Sequence, residues 1–177
     1  MLVESNFCAW LSEGGRIVPG SERRGHNVIT DAGREWLSQI SVWDSFSPDV
    51  PVDERRFRWI GVGGGYQSEI LSVVALVSPL TLTTGPDEYI RVLGTKSAPV
   101  QTSVKFTTVF TGASADLDHH GATVDVSEAG IFVDIHDGAG TLLDPTVGTN
   151  VPAAYKAFTA LTKAQAQDLT ITWEFRF

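Results

Sequence analysis

The sequence predicts a mainly β protein, an antiparallel β-sandwich or jelly roll with one short α-helix near its start. Three observations lead to this fold class. The last nine residues alternate between apolar and polar side chains, further strand-like segments are separated by turn residues, and a single segment has helical periodicity. Strands joined by turns, with little helix between them, favour antiparallel pairing.

The C-terminal segment, 169–177, is the clearest strand in the sequence. Successive side chains of a strand point to opposite faces of the sheet, so strict alternation indicates one buried face and one polar face. We expect the polar face to meet solvent or a partner subunit. The apolar set is Leu169, Ile171, Trp173, Phe175 and Phe177, and the polar set is Thr170, Thr172, Glu174 and Arg176.

Several earlier segments have strand-like composition and are bounded by glycine, proline or aspartate. The run from Ile70 to Leu76 is ambiguous between strand and helix. The other predicted strands are Phe57–Val62, Tyr89–Leu93, Val100–Thr111, Thr123–Val133 and Tyr155–Leu161.

One segment, which begins after Ile29, has the pattern of a helix. Thr30 is suited to the N-cap position, and Asp31 is favourable at the positive end of the helix dipole. Gly33 weakens the helix by about 1 kcal/mol relative to alanine. The predicted apolar face comprises Ala32, Trp36, Leu37 and Ile40.

The domain organisation follows from length and patterning. Residues 1–25 show no persistent period and are predicted to be an N-terminal arm or lead-in, while residues 26–177 form one β domain. A chain of 177 residues with 42% hydrophobic residues can bury a core without disulfides or metals.

Composition also limits the environment and the partners. The formal net charge of −8 disfavours binding to nucleic acid, because phosphates would be repelled. A single cysteine, Cys8, excludes an intramolecular disulfide. The first residues lack a basic, apolar signal sequence and no apolar run reaches a membrane span, so we expect synthesis in the cytoplasm and no membrane contact.

Three polar or glycine-rich segments are candidate sites. The cluster Gly61-Val62-Gly63-Gly64-Gly65 follows a predicted strand, as a phosphate loop would, but no Gly-Lys-Ser/Thr follows it, and a turn that needs positive φ is the better interpretation. The segments 116–120 and 134–137 combine aspartate with histidine, without the spacing of a known metal site. We interpret both as solvated loop tips and predict no cofactor and no metal.

Catalytic residues are also not predicted. The sequence has no Gly-x-Ser-x-Gly motif, and Cys8 has no identifiable base beside it. We therefore expect a protein that is not an enzyme.

The five tryptophans raise the alternative of carbohydrate stacking. Most lie on apolar faces of predicted elements and are expected in the core. Trp10 and Trp43 lie outside the strongly periodic segments and are predicted surface or interface residues, together with Glu174 and Arg176 of the last strand. A carbohydrate-binding module is accordingly the alternative function.

Four segments, in order, resemble motifs of one family. Asn27-Val28-Ile29-Thr30-Asp31-Ala32-Gly33 resembles the opening "N-x-I-T-D/N-A-G" of small β-rich virion proteins of tailed bacteriophages, of the tail-collar, tail-fibre attachment or capsid decoration kind. Trp59–Gly65 resembles their "V-G-x-G" turn, and Ser127–Phe132 their "x-E-x-G-I/L-F" segment. Residues 155–177 resemble their closing "F-x-x-I-T-K…L-T-I-x-W-x-x-x-F".

The resemblance spans about residues 27–177 and implies a non-catalytic β-sandwich that builds or decorates the virion. It implies other capsid, neck or tail proteins as partners, a homo-oligomer, and no nucleic acid or membrane contact. The sequence departs from the family by its N-terminal lead-in, and we expect no downstream fibre, coiled coil or receptor domain. These departures favour a capsid-surface decoration or cement protein, or a neck or tail accessory protein, over a complete fibre. The alternative function is then a carbohydrate-binding module on the phage tail.

Overall fold

The structure is a computed structural model that describes residues 4–34, 57–73, 75–80, 91–97, 102–111, 123–133 and 151–176. It is mainly β, with antiparallel sheets and almost no helix. The strands are β1 (Glu4–Glu13), β2 (Arg16–Ile17), β3 (Arg23–His26), β4 (Val28–Ile29), β5 (Phe57–Gly63), β6 (Arg91–Leu93), β7 (Thr95–Ser97), β8 (Ser103–Phe110), β9 (Thr123–Val133), β10 (Ala154–Ala164) and β11 (Asp168–Arg176).

These strands form two sheets. The first sheet has the order β2-β1-β11-β8-β7, and β3 also pairs with β1. The second sheet has the order β4-β10-β9-β5-β6. The strand pairs in both sheets are antiparallel.

The main apolar core takes side chains from both sheets. Phe7 of β1 stacks on Phe158 of β10 with ring centroids 5.2 Å apart, so a strand of the first sheet contacts a strand of the second. Trp173 of β11 meets the edge of the same Phe7 ring at 5.3 Å. Burial of these aromatic surfaces, together with the aliphatic side chains around them, stabilises the core.

The predicted apolar face of the last strand is confirmed within the described residues. Leu169, Ile171 and Trp173 are 0% exposed and Phe175 is 1% exposed, while Phe177 lies outside the described residues. The polar face is only partly as expected, because Glu174 is half-buried and Arg176 is exposed.

Thr170 and Thr172 are buried, contrary to the prediction that they face solvent or a partner. The reason is the central position of β11, which is flanked by β1 and β8. On the polar face, Thr170 lies between Trp10 and Val109 in the strand register. Larger neighbours on both sides therefore shield a short threonine side chain.

The prediction of a loose lead-in over residues 1–25 is wrong for the described residues from 4 onward. β1 pairs with β11 along nine residues and places Phe7, Ala9 and Leu11 in the core. The alternation was hidden because Cys8 and Trp10, which point to the opposite face, are also apolar.

The helix is a four-residue piece, 31–34, in the described part of the chain. Its predicted N-cap is confirmed, since the Gly33 N–H donates to Thr30 Oγ1 at 3.1 Å. The positions Trp36, Leu37 and Ile40 of the predicted apolar face lie outside the described residues. A Cβ at Gly33 would overlap the carbonyl of Ala153, so glycine is needed there for close packing.

The other predicted strands correspond to β5, β6, β8, β9 and β10, with shifts of a few residues at their ends. The ambiguous run from Ile70 to Leu76 is neither strand nor helix where the structure describes it. It belongs to the connection between β5 and β6. The described residues of this connection, 64–73 and 75–80, are called the loop 64–80.

Candidate functional site

A buried carboxylate holds the loop 64–80 onto the second sheet. Glu128 of β9 is 0% exposed. Its Oε2 accepts hydrogen bonds from the Val77 N–H (3.0 Å) and the Tyr155 hydroxyl (3.0 Å), and its Oε1 accepts one from the Ser78 N–H (2.8 Å). Both carboxylate oxygens thus accept hydrogen bonds from donors within the protein. The pKa of the Tyr155 hydroxyl is raised, mainly because the group is buried and also because the negative charge of Glu128 is close.

The glycine cluster has a packing role rather than the predicted positive-φ turn. Within the described residues, positive φ occurs at Gly14, Gly15 and Gly20 and not in the cluster. A Cβ at Gly63 would overlap Glu128 Oε1, and one at Gly65 would lie 2.8 Å from the Ser78 nitrogen. Glycine is required in this cluster because the Glu128 carboxylate and the loop backbone approach closely.

A second polar junction joins the start of the helix to the segment before β10. Thr30 Oγ1 donates to the carbonyl of Pro152 at 2.6 Å, and the Asp31 N–H donates to the carbonyl of Leu71 at 2.8 Å. Gly130 of β9 leaves room for Pro152, whose Cβ would lie 2.9 Å from an added Cβ. β4 and β5 therefore flank β10 and β9 in the second sheet.

The candidate binding site is a cleft of about 620 Å³ on the outer face of the first sheet, called here the cationic cleft. Its walls come from four paired strands. The side chains that form it include Asn6 and Cys8 of β1, Arg24 and His26 of β3, Lys105 of β8, and Thr172, Glu174 and Arg176 of β11.

The strand register explains why these residues meet although they are far apart in sequence. Asn6 lies opposite both His26 and Glu174, and Glu174 lies opposite Lys105. One row of the sheet thus runs from β3 to β8 across the cleft. A second row joins Arg24, Cys8 and Thr172.

Two of the three permanent cations of the cleft are held by neighbouring carboxylates. Arg24 pairs with Glu22 at 2.7 Å and Arg176 pairs with Glu174 at 3.0 Å. These hydrogen bonds raise the pKa of each arginine, and the Arg24 bond lowers the pKa of Glu22. Lys105 makes no ion pair within the described ranges.

The structure therefore brings two of the predicted interface residues, Glu174 and Arg176, into one site. Trp10 lies on the same outer face, half-buried and opposite Thr170, while Trp43 lies outside the described residues. Sequence reasoning missed Arg24 and Lys105. The polar positions of the predicted strand Val100–Thr111 included Lys105, but nothing in the sequence showed that it lies beside β11.

Other predicted candidates are not assembled into a site by the described residues. The segments 116–120 and 134–137 lie outside them. Where the chain is described, no three histidine, cysteine or acidic side chains are grouped as metal ligands. Over the same ranges, no helix has the length and apolarity needed to cross a membrane.

The Cys8 thiol in the cleft is expected to react slowly. Burial raises its pKa above the usual 9.0 and outweighs the opposing effect of the Arg24 charge. A raised pKa leaves less thiolate at any pH below it, and thiolate is the nucleophile.

Alkylation of Cys8 by iodoacetamide at about pH 8, followed by mass spectrometry, should be several-fold slower in the folded protein than in urea. The rate should increase as the pH rises. Faster reaction in the folded state would contradict this.

Comparison of the chain with protein-family models, with curated proteins and with solved structures found no match.

Proposed function

We propose that the chain is a non-enzymatic structural component of a tailed-bacteriophage virion, made in the host cytoplasm. Its place is either the capsid surface, as a decoration or cement protein, or the neck or tail, as an accessory protein. We also propose that the two sheets form a β-sandwich of jelly-roll type. Support for the sandwich comes from the shared core, in which Phe7 of one sheet stacks on Phe158 of the other.

The observation that carries the functional proposal is the meeting of the four resembling segments. The first segment contains β4, which pairs with β10 so that Val28 lies opposite Tyr155 of the fourth segment. The glycines of the second make room for the glutamate of the third, Glu128, which accepts a hydrogen bond from Tyr155 of the fourth. These positions depend on one another physically, which supports a common architecture behind the resemblance.

The same contacts support a structural rather than a catalytic role for the motif residues. Glu128 is the one fully buried carboxylate among the described residues, and its oxygens accept three hydrogen bonds from the loop and from Tyr155. A general base needs a free oxygen within reach of a substrate. Glu128 instead fixes the position of the loop 64–80.

A homo-oligomer with other virion proteins as neighbours is part of the proposal. Among the described strands β7 lies at the edge of the first sheet, and the backbone groups of such an edge can pair with a neighbouring subunit. Closed rings or trimers satisfy such edges without open-ended growth.

Quantitative mass spectrometry of purified particles tests the proposed function. The phage that encodes the chain should contain it at a fixed copy number. On the order of hundreds of copies would indicate the capsid surface, whereas a small multiple of three or six would indicate neck or tail. Particles that lack the protein would overturn the proposal.

Glu174→Ala should separate assembly from folding. The Glu174 side chain is 21% exposed and bonds the exposed Arg176, so its loss should cost the isolated protein under about 1 kcal/mol. We expect incorporation into particles to fall several-fold in a complementation assay. The matched control is Asp125→Ala, which removes an exposed carboxylate bonded to Thr162 on the second sheet. Equal loss with both variants would contradict a role for the Glu174 face.

A further inference from the structure

The cationic cleft differs in charge from the rest of the molecule. Its lining has three cations, Arg24, Lys105 and Arg176, and one carboxylate, Glu174; with Glu22, which pairs with Arg24, the local net charge is +1. The whole chain carries −8, so the remaining residues carry −9. A local positive site on a strongly acidic protein creates a focused field for a small anionic ligand.

The cations are placed so that they can bind a further anion. Each arginine has five N–H donors, and the contacts with Glu22 and Glu174 use one terminal nitrogen of each guanidinium. The Lys105 ammonium has no ion pair within the described residues. Donors therefore remain on three cations around one cavity.

The site is also rigid, because it is built on a sheet rather than on loops. β11 pairs with β1 over nine residues and with β8 over eight. The outer rows of these strands form the floor of the cleft, where Thr172 Oγ1 lies 3.5 Å from the Cys8 carbonyl. A preorganised floor reduces the entropy lost when a ligand is bound.

Size and charge together indicate the ligand class. A cleft of about 620 Å³ has the volume of sites that take small molecules or a few residues of peptide. A net charge of +1, with N–H donors left on three cations, complements a short ligand with few carboxylates. An extended polyanion, such as nucleic acid, would continue from the cleft onto the acidic surface around it. Charges closer than the Debye length of about 8 Å are not fully screened, so that surface would repel the polyanion.

We infer that the cationic cleft binds a short acidic peptide segment of another virion protein through its carboxylates. This inference rests on the proposed function only for the source of the segment. Arginine forks and the lysine ammonium recognise carboxylates by charge-assisted hydrogen bonds.

Titration of the isotope-labelled full chain, followed by NMR at low salt, tests the site. The probe is N-acetyl-triaspartate amide, and the matched probe is the triasparagine peptide. Backbone amides of Cys8, Lys105 and Thr172 should shift with the first probe and not with the second. Raising the salt concentration severalfold should weaken binding, since the contacts are ionic.

Variants complete the test. Lys105→Ala should weaken triaspartate binding about tenfold, because one charge-assisted contact is lost. Arg16→Ala removes an exposed cation of β2 outside the cleft and should leave the affinity unchanged. Equal effects of both variants, or no shift at the cleft amides, would overturn the inference.

A DNA oligonucleotide and heparin are the comparison ligands. If either binds more tightly than triaspartate, the cleft is a polyanion site and the inference is overturned. The titration needs no particles, so its failure is distinguishable from failure of the proposed function.

Discussion

Trp173→Ala is expected to remove most of the stability of the protein. Trp173 is 0% exposed, meets the edge of the Phe7 ring, and donates from its indole N–H to Ser5 Oγ at 2.9 Å. Truncation of a buried tryptophan leaves a large cavity and costs about 3–5 kcal/mol. Single domains have a total stability of about 5–15 kcal/mol, so a variant of a domain at the lower end of this range should be only marginally stable. Urea unfolding followed by circular dichroism measures the loss.

Trp173→Phe provides the control for this prediction, because it keeps an aromatic ring while removing the indole N–H. Its cost should be clearly smaller than that of the alanine variant. If Trp173→Ala lowers the free energy of unfolding by less than about 1 kcal/mol, the position of β11 in the core is wrong.

Glu128→Ala should have a comparable effect by a different mechanism. The substitution leaves the Val77 and Ser78 N–H groups and the Tyr155 hydroxyl without their acceptor. A buried donor left unsatisfied costs about 1–3 kcal/mol; the Tyr155 hydroxyl is buried and the two loop N–H groups are part-buried, so the total should be about 2–5 kcal/mol. Chemical denaturation gives the total, and amide hydrogen exchange of residues 64–80 shows whether the loop opens first.

Tyr155→Phe is the matched control, since it removes one of the three hydrogen bonds and keeps the ring. It should cost about 1–2 kcal/mol and leave the loop amides protected. A Glu128→Ala protein as stable as Tyr155→Phe, with unchanged exchange at Val77 and Ser78, would contradict the role of the carboxylate as the anchor of the loop.

The contrast between β11 and β1 shows which parts of the fold the sequence could predict. In β11, polar residues such as Glu174 alternate with apolar ones, so the period is visible. In β1, the outer face contains Cys8 and Trp10, and hydrophobicity alone does not distinguish it from the inner face. The burial of Thr172 could not be predicted either, because it depends on the two strands beside β11.

The candidate site was less predictable than the fold for the same reason. Glu174 and Arg176 could be proposed from the polar face of one strand. The cleft also needs Arg24 and Lys105, which come from strands distant from β11 in the sequence. Only the register of β3, β1, β11 and β8 brings these charges together. The role of Glu128 was hidden because burial of a carboxylate depends on donors that the loop 64–80 supplies.

The register of β1 with β11 has a consequence for how the protein folds. Glu4 lies opposite Arg176, so the first sheet closes a loop of nearly the whole chain. Loop-closure entropy and high contact order slow the formation of such sheets relative to local hairpins. During synthesis, β1 therefore has no β11 to pair with until the last described residues have left the ribosome. Until then the apolar face of β1, formed by Phe7, Ala9 and Leu11, lacks its native neighbours on β11. We therefore expect chaperones to bind the nascent chain, because exposed apolar surface promotes aggregation.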